Sequence, residues 1–171
     1  DKVVENALTA LKVSDFETAK TYFDVDPEES ISEAETEQED EIMVNIMQNL
    51  QYTIISTEEN DDTATVKASI KNTNMSSVMS DYISEAFTYA FSNLSDEEMD
   101  QKFTEILNTS LENNKDNLLE KEVDITLTKG ETGWIITMND DLIDAITGGM
   151  LTIANNFSNA AESFNSAESN S

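Results

Sequence analysis

The chain has 171 residues, enough for one sizeable hydrophobic core, and 38% of them are hydrophobic. It carries 36 acidic residues against 9 basic ones, a formal charge of -27, and it contains no histidine and no cysteine. This composition excludes disulfides, thiolate or imidazole metal sites and serine–histidine triads. The negative charge also argues against nucleic acid as a partner.

The chain opens with two predicted helices. Val4, Leu8 and Leu11 fall at helical spacing. The sequence that follows, from Ser14 to Glu17, has the pattern of a capping box, which predicts a second helix start with Ser14 as its N-cap.

An acid-rich segment without lysine runs from Asp24 to Glu41. Its charge crowding favours a mobile loop or a solvated helix start, and a weak divalent-cation patch is the alternative. Pro27 is expected to end the second helix, and the pattern of a calcium loop is missing because no glycine follows. We therefore expect this to be the least ordered internal segment, with fast amide exchange.

A third helix and a strand pair come next. Met43 and Met47 lie on one stripe at helical spacing. The period then changes to two, with Tyr52 and Ile54 in one run and alternating apolar residues from Val66 in the next. These two runs predict an antiparallel hairpin.

A helical insert separates this hairpin from a second strand pair. Apolar residues recur at helical spacing from Met75 to Leu94, and a capping box at Ser95 opens another helix. Alternating residues then predict strands around Val123–Leu127 and Trp134–Met138. The order of elements predicts an α+β fold with a helical insert at 75–118.

The chain closes with two predicted helices. Asn139 or Asp140 caps the first, and Gly148 with Gly149 ends it. Apolar residues beyond the glycines continue at helical spacing to Phe164.

This pattern divides the chain into a domain at 1–149 and an amphipathic C-terminal helix with a frayed tail at 150–171. We expect the apolar side of that helix to dock on the domain or on a second copy, which would make a homodimer.

Three stretches carry a resemblance to a known group of proteins: VVENALTALKVSDFETAKTYF, VDITLTKGETGWIIT and DDLIDAITGGM. Together they resemble the exported lipoprotein domains of Gram-positive gut and soil bacteria, over about residues 2 to 150. The resemblance implies a cystatin-like, nuclear-transport-factor-like cone, with helices packed on a curved antiparallel sheet around an apolar cavity. It also implies a secreted or lipid-anchored protein of unknown function on the outer face of the membrane. The lipid-bearing cysteine would lie upstream of Asp1.

Two classes of function fit these observations. One is a non-catalytic extracytoplasmic module that binds a small apolar ligand or a protein partner, without cofactor or metal. The other is an isomerase- or dehydratase-like enzyme with a buried carboxylate base and a tyrosine donor. The predicted core positions contain no carboxylate, which favours the module.

Six side chains are candidates for a ligand site between the third helix and the strand pairs. Flexible thioethers and aromatic rings suit an adaptable apolar cavity, although the same residue types also fill ordinary cores. The six are Met43, Met47, Trp134, Met138, Tyr22 and Tyr52.

Overall fold

A computed structural model describes residues 1–31, 37–89 and 91–168, with side chains for 1–31, 41–89 and 91–160. It is an α+β structure with one antiparallel sheet in the strand order β1-β2-β3-β4, which confirms the predicted class. Its elements are α1 (Lys2–Lys12), α2 (Phe16–Lys20), α3 (Pro27–Ile31), α4 (Glu37–Gln48), β1 (Gln51–Asn60), β2 (Thr63–Thr73), α5 (Met75–Tyr89), α6 (Asp96–Asn114), β3 (Leu118–Lys129), β4 (Trp134–Ile136), α7 (Asp140–Ile146) and α8 (Met150–Glu168).

The predicted acidic segment, 24–41, falls partly outside the described residues, which omit 32–36. In its described part the expectation for Pro27 was wrong, because Pro27 begins α3 instead of ending α2. Proline suits the first turn of a helix, where its missing N–H would have no partner. The Asp26 carboxylate accepts a hydrogen bond from the Glu28 backbone N–H at 3.1 Å, which stabilises this start.

The N-cap of α2 was also predicted one residue too early. Asp15, not Ser14, accepts the backbone N–H of Thr18, at 3.1 Å. Ser14 has a φ of 56°, and an N-cap needs extended backbone. The second capping box is confirmed, since Ser95 Oγ accepts from Glu98 N and the Glu98 carboxylate accepts from Ser95 N at 2.9 Å.

Strands β2 and β3 form the centre of the sheet and pair continuously from Thr63 opposite Thr128 to Thr73 opposite Leu118. The helical insert therefore leaves and re-enters the sheet at two residues that are register partners. This placement lets α5 and α6 extend from the sheet without interrupting the ladder. The two predicted strand pairs are consequently parts of one sheet.

One face of the sheet is apolar and the other is charged. On β2 the buried residues Ala64, Val66, Ala68 and Ile70 alternate with polar ones, as a half-buried strand requires. Helices α1, α4 and α7 pack over the apolar face, where α1 reaches from β1 to β4. The core therefore lies between these helices and the sheet.

Two glycines form the joint between the domain and α8. The Gly148 carbonyl accepts the backbone N–H of Met75 at 3.0 Å, so the joint also holds the start of α5. Gly148 has a φ of +64°, and a Cβ at this position would lie 1.9 Å from the Thr73 carbonyl oxygen. Only glycine fits there, because any side chain would be both strained and in collision with backbone.

We expect Gly148→Ala to lower the free energy of unfolding by about 3 kcal/mol or more, from left-handed strain and the forced backbone shift. Gly130→Ala is the matched control, because Gly130 has no positive φ and its nearest neighbour would be 3.3 Å from a Cβ. Urea unfolding of both variants measures the difference. Equal decreases in the free energy of unfolding would show that the joint tolerates a side chain at position 148.

Candidate functional site

The two candidate methionines lie in the core. Met47 is 0% exposed and Met43 is 7% exposed, both on the inner side of α4. They pack among the other buried side chains of the single core cluster. Neither lines the Trp134 groove described below. Their placement is that of core residues, and a ligand role for them stays a prediction.

The candidate tyrosines lie at opposite edges of the sheet. The Tyr52 hydroxyl, at the β1 edge, is 2.8 Å from Thr9 Oγ1 and donates to the Glu5 carbonyl at 3.1 Å. These bonds join β1 to α1. The Tyr22 carbonyl accepts the Ile136 N–H at 2.7 Å, at the β4 edge.

Met138 follows β4 at that same edge and is half-buried. Its backbone N–H donates to the Asp24 carboxylate at 2.9 Å. The segment at 22–24 thus runs beside β4, with Phe23 and Ile136 in a parallel bridge. The six candidates thus lie in or against one core cluster, with Tyr52 at one edge of the sheet and Tyr22 and Met138 at the other, and a shared ligand site stays a prediction.

Trp134 is the candidate side chain that lines a groove. The groove has a volume of about 220 Å³ and lies between the start of α1 and the inner face of the sheet. Its apolar walls come from Val3, Ala64, Val66, Leu127 and Trp134. The volume is below the ~300 Å³ at which pockets for drug-sized ligands begin, so only a small molecule would fit.

A buried carboxylate is present that the sequence pattern did not reveal. Asp144, in α7, is 6% exposed. Its Oδ1 accepts the Thr152 backbone N–H at 2.7 Å, its Oδ2 accepts the Thr152 hydroxyl at 2.6 Å, and Lys121 forms an ion pair with it. Asp144 therefore caps α8 from the preceding helix, across the two glycines.

The environment of Asp144 keeps it ionised. Burial raises its pKa, but the hydrogen bonds from Lys121 and Thr152 outweigh burial and hold the pKa below the ordinary aspartate value. A proton-abstracting base of the isomerase type needs a raised pKa and a hydrogen-bonding substrate in reach. The arrangement instead suits a structural ion pair. The only sequence sign of it is an acid placed eight residues before a threonine, with glycines between them.

Helices α5 and α6 form a helical hairpin, which we call the arm. Tyr82 and Phe103 meet edge to face with ring centroids 6.4 Å apart, and Lys102 lies 5.1 Å from the centre of the Tyr89 ring. These contacts join the two helices along one side of α5. The prediction of a single helix to Leu94 was too long, since α5 ends at Tyr89.

A second apolar stripe of the arm faces solvent. Ile83, Phe87 and Phe91, which we call the ridge, are 48%, 67% and 85% exposed. The Phe87 and Phe91 rings contact each other with centroids 5.8 Å apart. Leu94 follows and is also exposed. The sequence pattern had placed Phe87 and Phe91 on the same stripe as the packed residues, because α5 is apolar on two sides.

Two kinds of feature are absent from the described residues, a membrane-spanning helix and a cluster of metal ligands. None of the described helices is long and apolar enough to cross a membrane. Within the same residues, no three acidic side chains are arranged to hold a metal ion.

No protein-family model matches the chain, and no curated protein matches it. Among solved structures, it is similar to the candidate lipoprotein ycdA of Bacillus subtilis, with 22% sequence identity and a TM-score of 0.49. The similarity covers 81% of this chain and 44% of that chain. The chain thus spans less than half the length of the protein that it resembles.

We expect Asp144→Asn to destabilise the protein by about 2 kcal/mol at neutral pH, because the Lys121 charge loses its buried partner. The folded state lowers the pKa of Asp144, so its stabilising contribution is complete above the ordinary aspartate value and is lost as pH falls through the folded value. The gap between wild type and variant should therefore narrow below about pH 4.

Unfolding curves of both proteins across this pH range measure that gap. Asp124→Asn is the control, since Asp124 pairs with Lys67 at 3.0 Å on the exposed face of the sheet. Such an exposed pair should contribute little. A gap for Asp144→Asn that stays constant in acid would contradict the role given to its charge.

Proposed function

We propose that this chain is a non-catalytic extracytoplasmic interaction module, and that its arm binds a protein partner through the ridge. One observation carries this proposal: Ile83 and Phe87 stand in solvent on a helix whose opposite side is already packed, and the exposed Phe91 follows in the turn after it. Single exposed apolar residues are ordinary on protein surfaces, whereas contiguous ones mark interaction sites.

The ridge is not needed for the fold. Val78 and Met75 are the buried residues of α5, and Tyr82 and Tyr89 contact α6, so α5 is held without the ridge. Exposed phenylalanines cost solubility, and the contact between the Phe87 and Phe91 rings joins only neighbouring parts of the same segment. A binding role accounts for them, because aromatic side chains dominate the energy of protein interfaces.

Charge indicates the chemistry of the partner. The residues of the arm and its return to the sheet, 75–118, include nine acids and two lysines. Both lysines are already paired, Lys102 with Glu105 and Lys115 with Glu112. The remaining acids attract cations and repel anionic surfaces. The partner that fits is a basic amphipathic helix, whose apolar side covers the ridge and whose lysines or arginines meet the acids.

A synthetic helical peptide of leucine and lysine, about 15 residues long, is a suitable probe. Wild-type protein should bind it, and the double variant Phe87→Ser with Phe91→Ser should bind roughly tenfold more weakly, as expected for the loss of aromatic anchors. Raising the salt concentration should weaken binding, because opposite charges attract across the interface. Isothermal titration calorimetry measures all three effects.

The matched controls are Phe157→Ser, an aromatic substitution on α8, and the same peptide with glutamate in place of lysine. The first should leave binding unchanged and the second should abolish it. Equal binding by wild type and the ridge variant would show unspecific charge attraction and remove the ridge from the proposal. Binding to neutral phosphatidylcholine vesicles instead of the peptide would assign the ridge to a membrane.

The proposals of a cystatin-like fold and of a cell-surface location rest on the sequence. The resemblance to exported lipoprotein domains supports a cystatin-like cone and a lipid-anchored position at the cell surface, and the absence of cysteine suits an exported protein. Fractionation of the native host with an antibody against this chain tests the location. Recovery in the cytoplasm would contradict it.

A small apolar ligand at the Trp134 groove is a second candidate function. The groove combines an apolar wall with an indole ring, and Trp134 is the only tryptophan of the chain. Its intrinsic fluorescence therefore reports on the groove alone. Titration with short-chain alcohols should shift the emission if the groove binds apolar molecules, and unchanged emission would contradict this candidate.

A further inference from the structure

Helix α8 leaves the body of the domain after its first turn. Asp144 holds its start through Thr152, and its main contacts are with α7 and α5. Every residue from Ala154 to Ala160 is exposed, and Phe157 is 55% exposed. The helix spans Met150–Glu168, and its stretch from Ala154 to Ala160 therefore lies outside the core.

A helix of this composition needs a partner. The exposed stretch 155–159 holds Asn, Asn, Phe, Ser and Asn, which rank in the lower half of the scale of helix formers. Isolated helices of this length are marginal in water even when they are rich in alanine. Contacts with another molecule would supply the missing stability.

Apolar residues recur along one side of α8, which we call the seam. Met150, Ile153, Phe157 and Ala160 follow one another at intervals of three, four and three, and the sequence continues the spacing with Phe164 and Ala167. This is the a/d spacing of a two-stranded coiled coil, widened by the small residues Ala154 and Ala161. Ile153 packs against the core of its own domain, so the part of the seam that is open to a second helix begins at Phe157.

The distribution of charge along the chain indicates which helix pairs with α8. Residues 150–171 contain two of the 36 acids, and the other 34 lie in 1–149. The ridge attracts a basic partner, but α8 has almost no charge for such a partner to meet. Two copies of α8 can approach without strong repulsion. In an antiparallel pair the two acidic bodies, residues 1–149 of each copy, lie at opposite ends of a helix about 28 Å long. Their separation is well beyond the ~8 Å screening length at physiological salt.

We propose that α8 pairs with α8 of a second copy of this chain, which makes the protein a homodimer in solution. The seam supplies the contact and the low charge of α8 permits it. Each dimer would carry two arms, so a partner with repeated basic segments would bind with the advantage of bivalency.

Sedimentation equilibrium of the wild-type protein, Phe157→Asn and Phe91→Ser tests the proposal. Wild type and Phe91→Ser should dimerise equally, and Phe157→Asn should raise the dissociation constant roughly tenfold or more. Because Phe157 is exposed, the variant should keep its fold, which urea unfolding checks. Added salt should change the dissociation constant of the dimer little, because the acidic bodies are already screened from each other, whereas it should weaken peptide binding to the ridge.

Three outcomes would overturn the proposal: a monomeric wild type at all accessible concentrations, a Phe157→Asn variant that dimerises like wild type, or a Phe91→Ser variant that alone becomes monomeric. The last would make the ridge the contact between copies. Failure of the dimer proposal would not affect the peptide-binding proposal, because peptide binding is attributed to the ridge and Phe157 serves there only as a control.

Discussion

The structure depends on one buried polar joint at the end of the sheet. There Asp144 binds Lys121 and Thr152, the Asn72 amide donates to the Ile146 carbonyl at 2.5 Å, and Gly148 lies against the end of β2. The contacts of Lys121, Asn72 and Gly148 join elements that are far apart in the chain, and the contact with Thr152 joins α7 to α8. Because buried polar groups are costly when unpaired, the loss of one of these bonds would leave its partner unpaired at a cost in free energy. The joint therefore sets where α5 and α8 leave the domain.

Both proposed binding surfaces start at this joint. Met75 opens α5 by donating to Gly148, and Thr152 opens α8 by donating to Asp144. The core beneath them is closed by residues such as Met47, Leu8 and Ile70, each at most 1% exposed. Helices with exposed apolar residues, such as Phe87 on α5 and Phe157 on α8, suit contacts between macromolecules.

The negative charge gives the two surfaces different partners. The arm keeps an excess of acids around an aromatic ridge, whereas α8 is nearly neutral. A basic segment gains Coulomb energy on the arm, and a second copy avoids repulsion on α8. Salt should therefore weaken binding to the arm and affect pairing of α8 little.

The sequence by itself determined the element types, because the periods of 3.6 and 2 are local properties: the helix around Met47, the strands around Val66 and Ile125, and the cap at Ser95 all follow from neighbouring residues. It also showed that α8 would be apolar on one side. Only the tertiary structure decided which apolar residues are buried. Periodicity could not separate Tyr82, which packs on α6, from Phe87, which stands in solvent, nor reveal that Asp144 would meet Lys121. Burial depends on contacts between distant segments, and those exist only once the chain has folded.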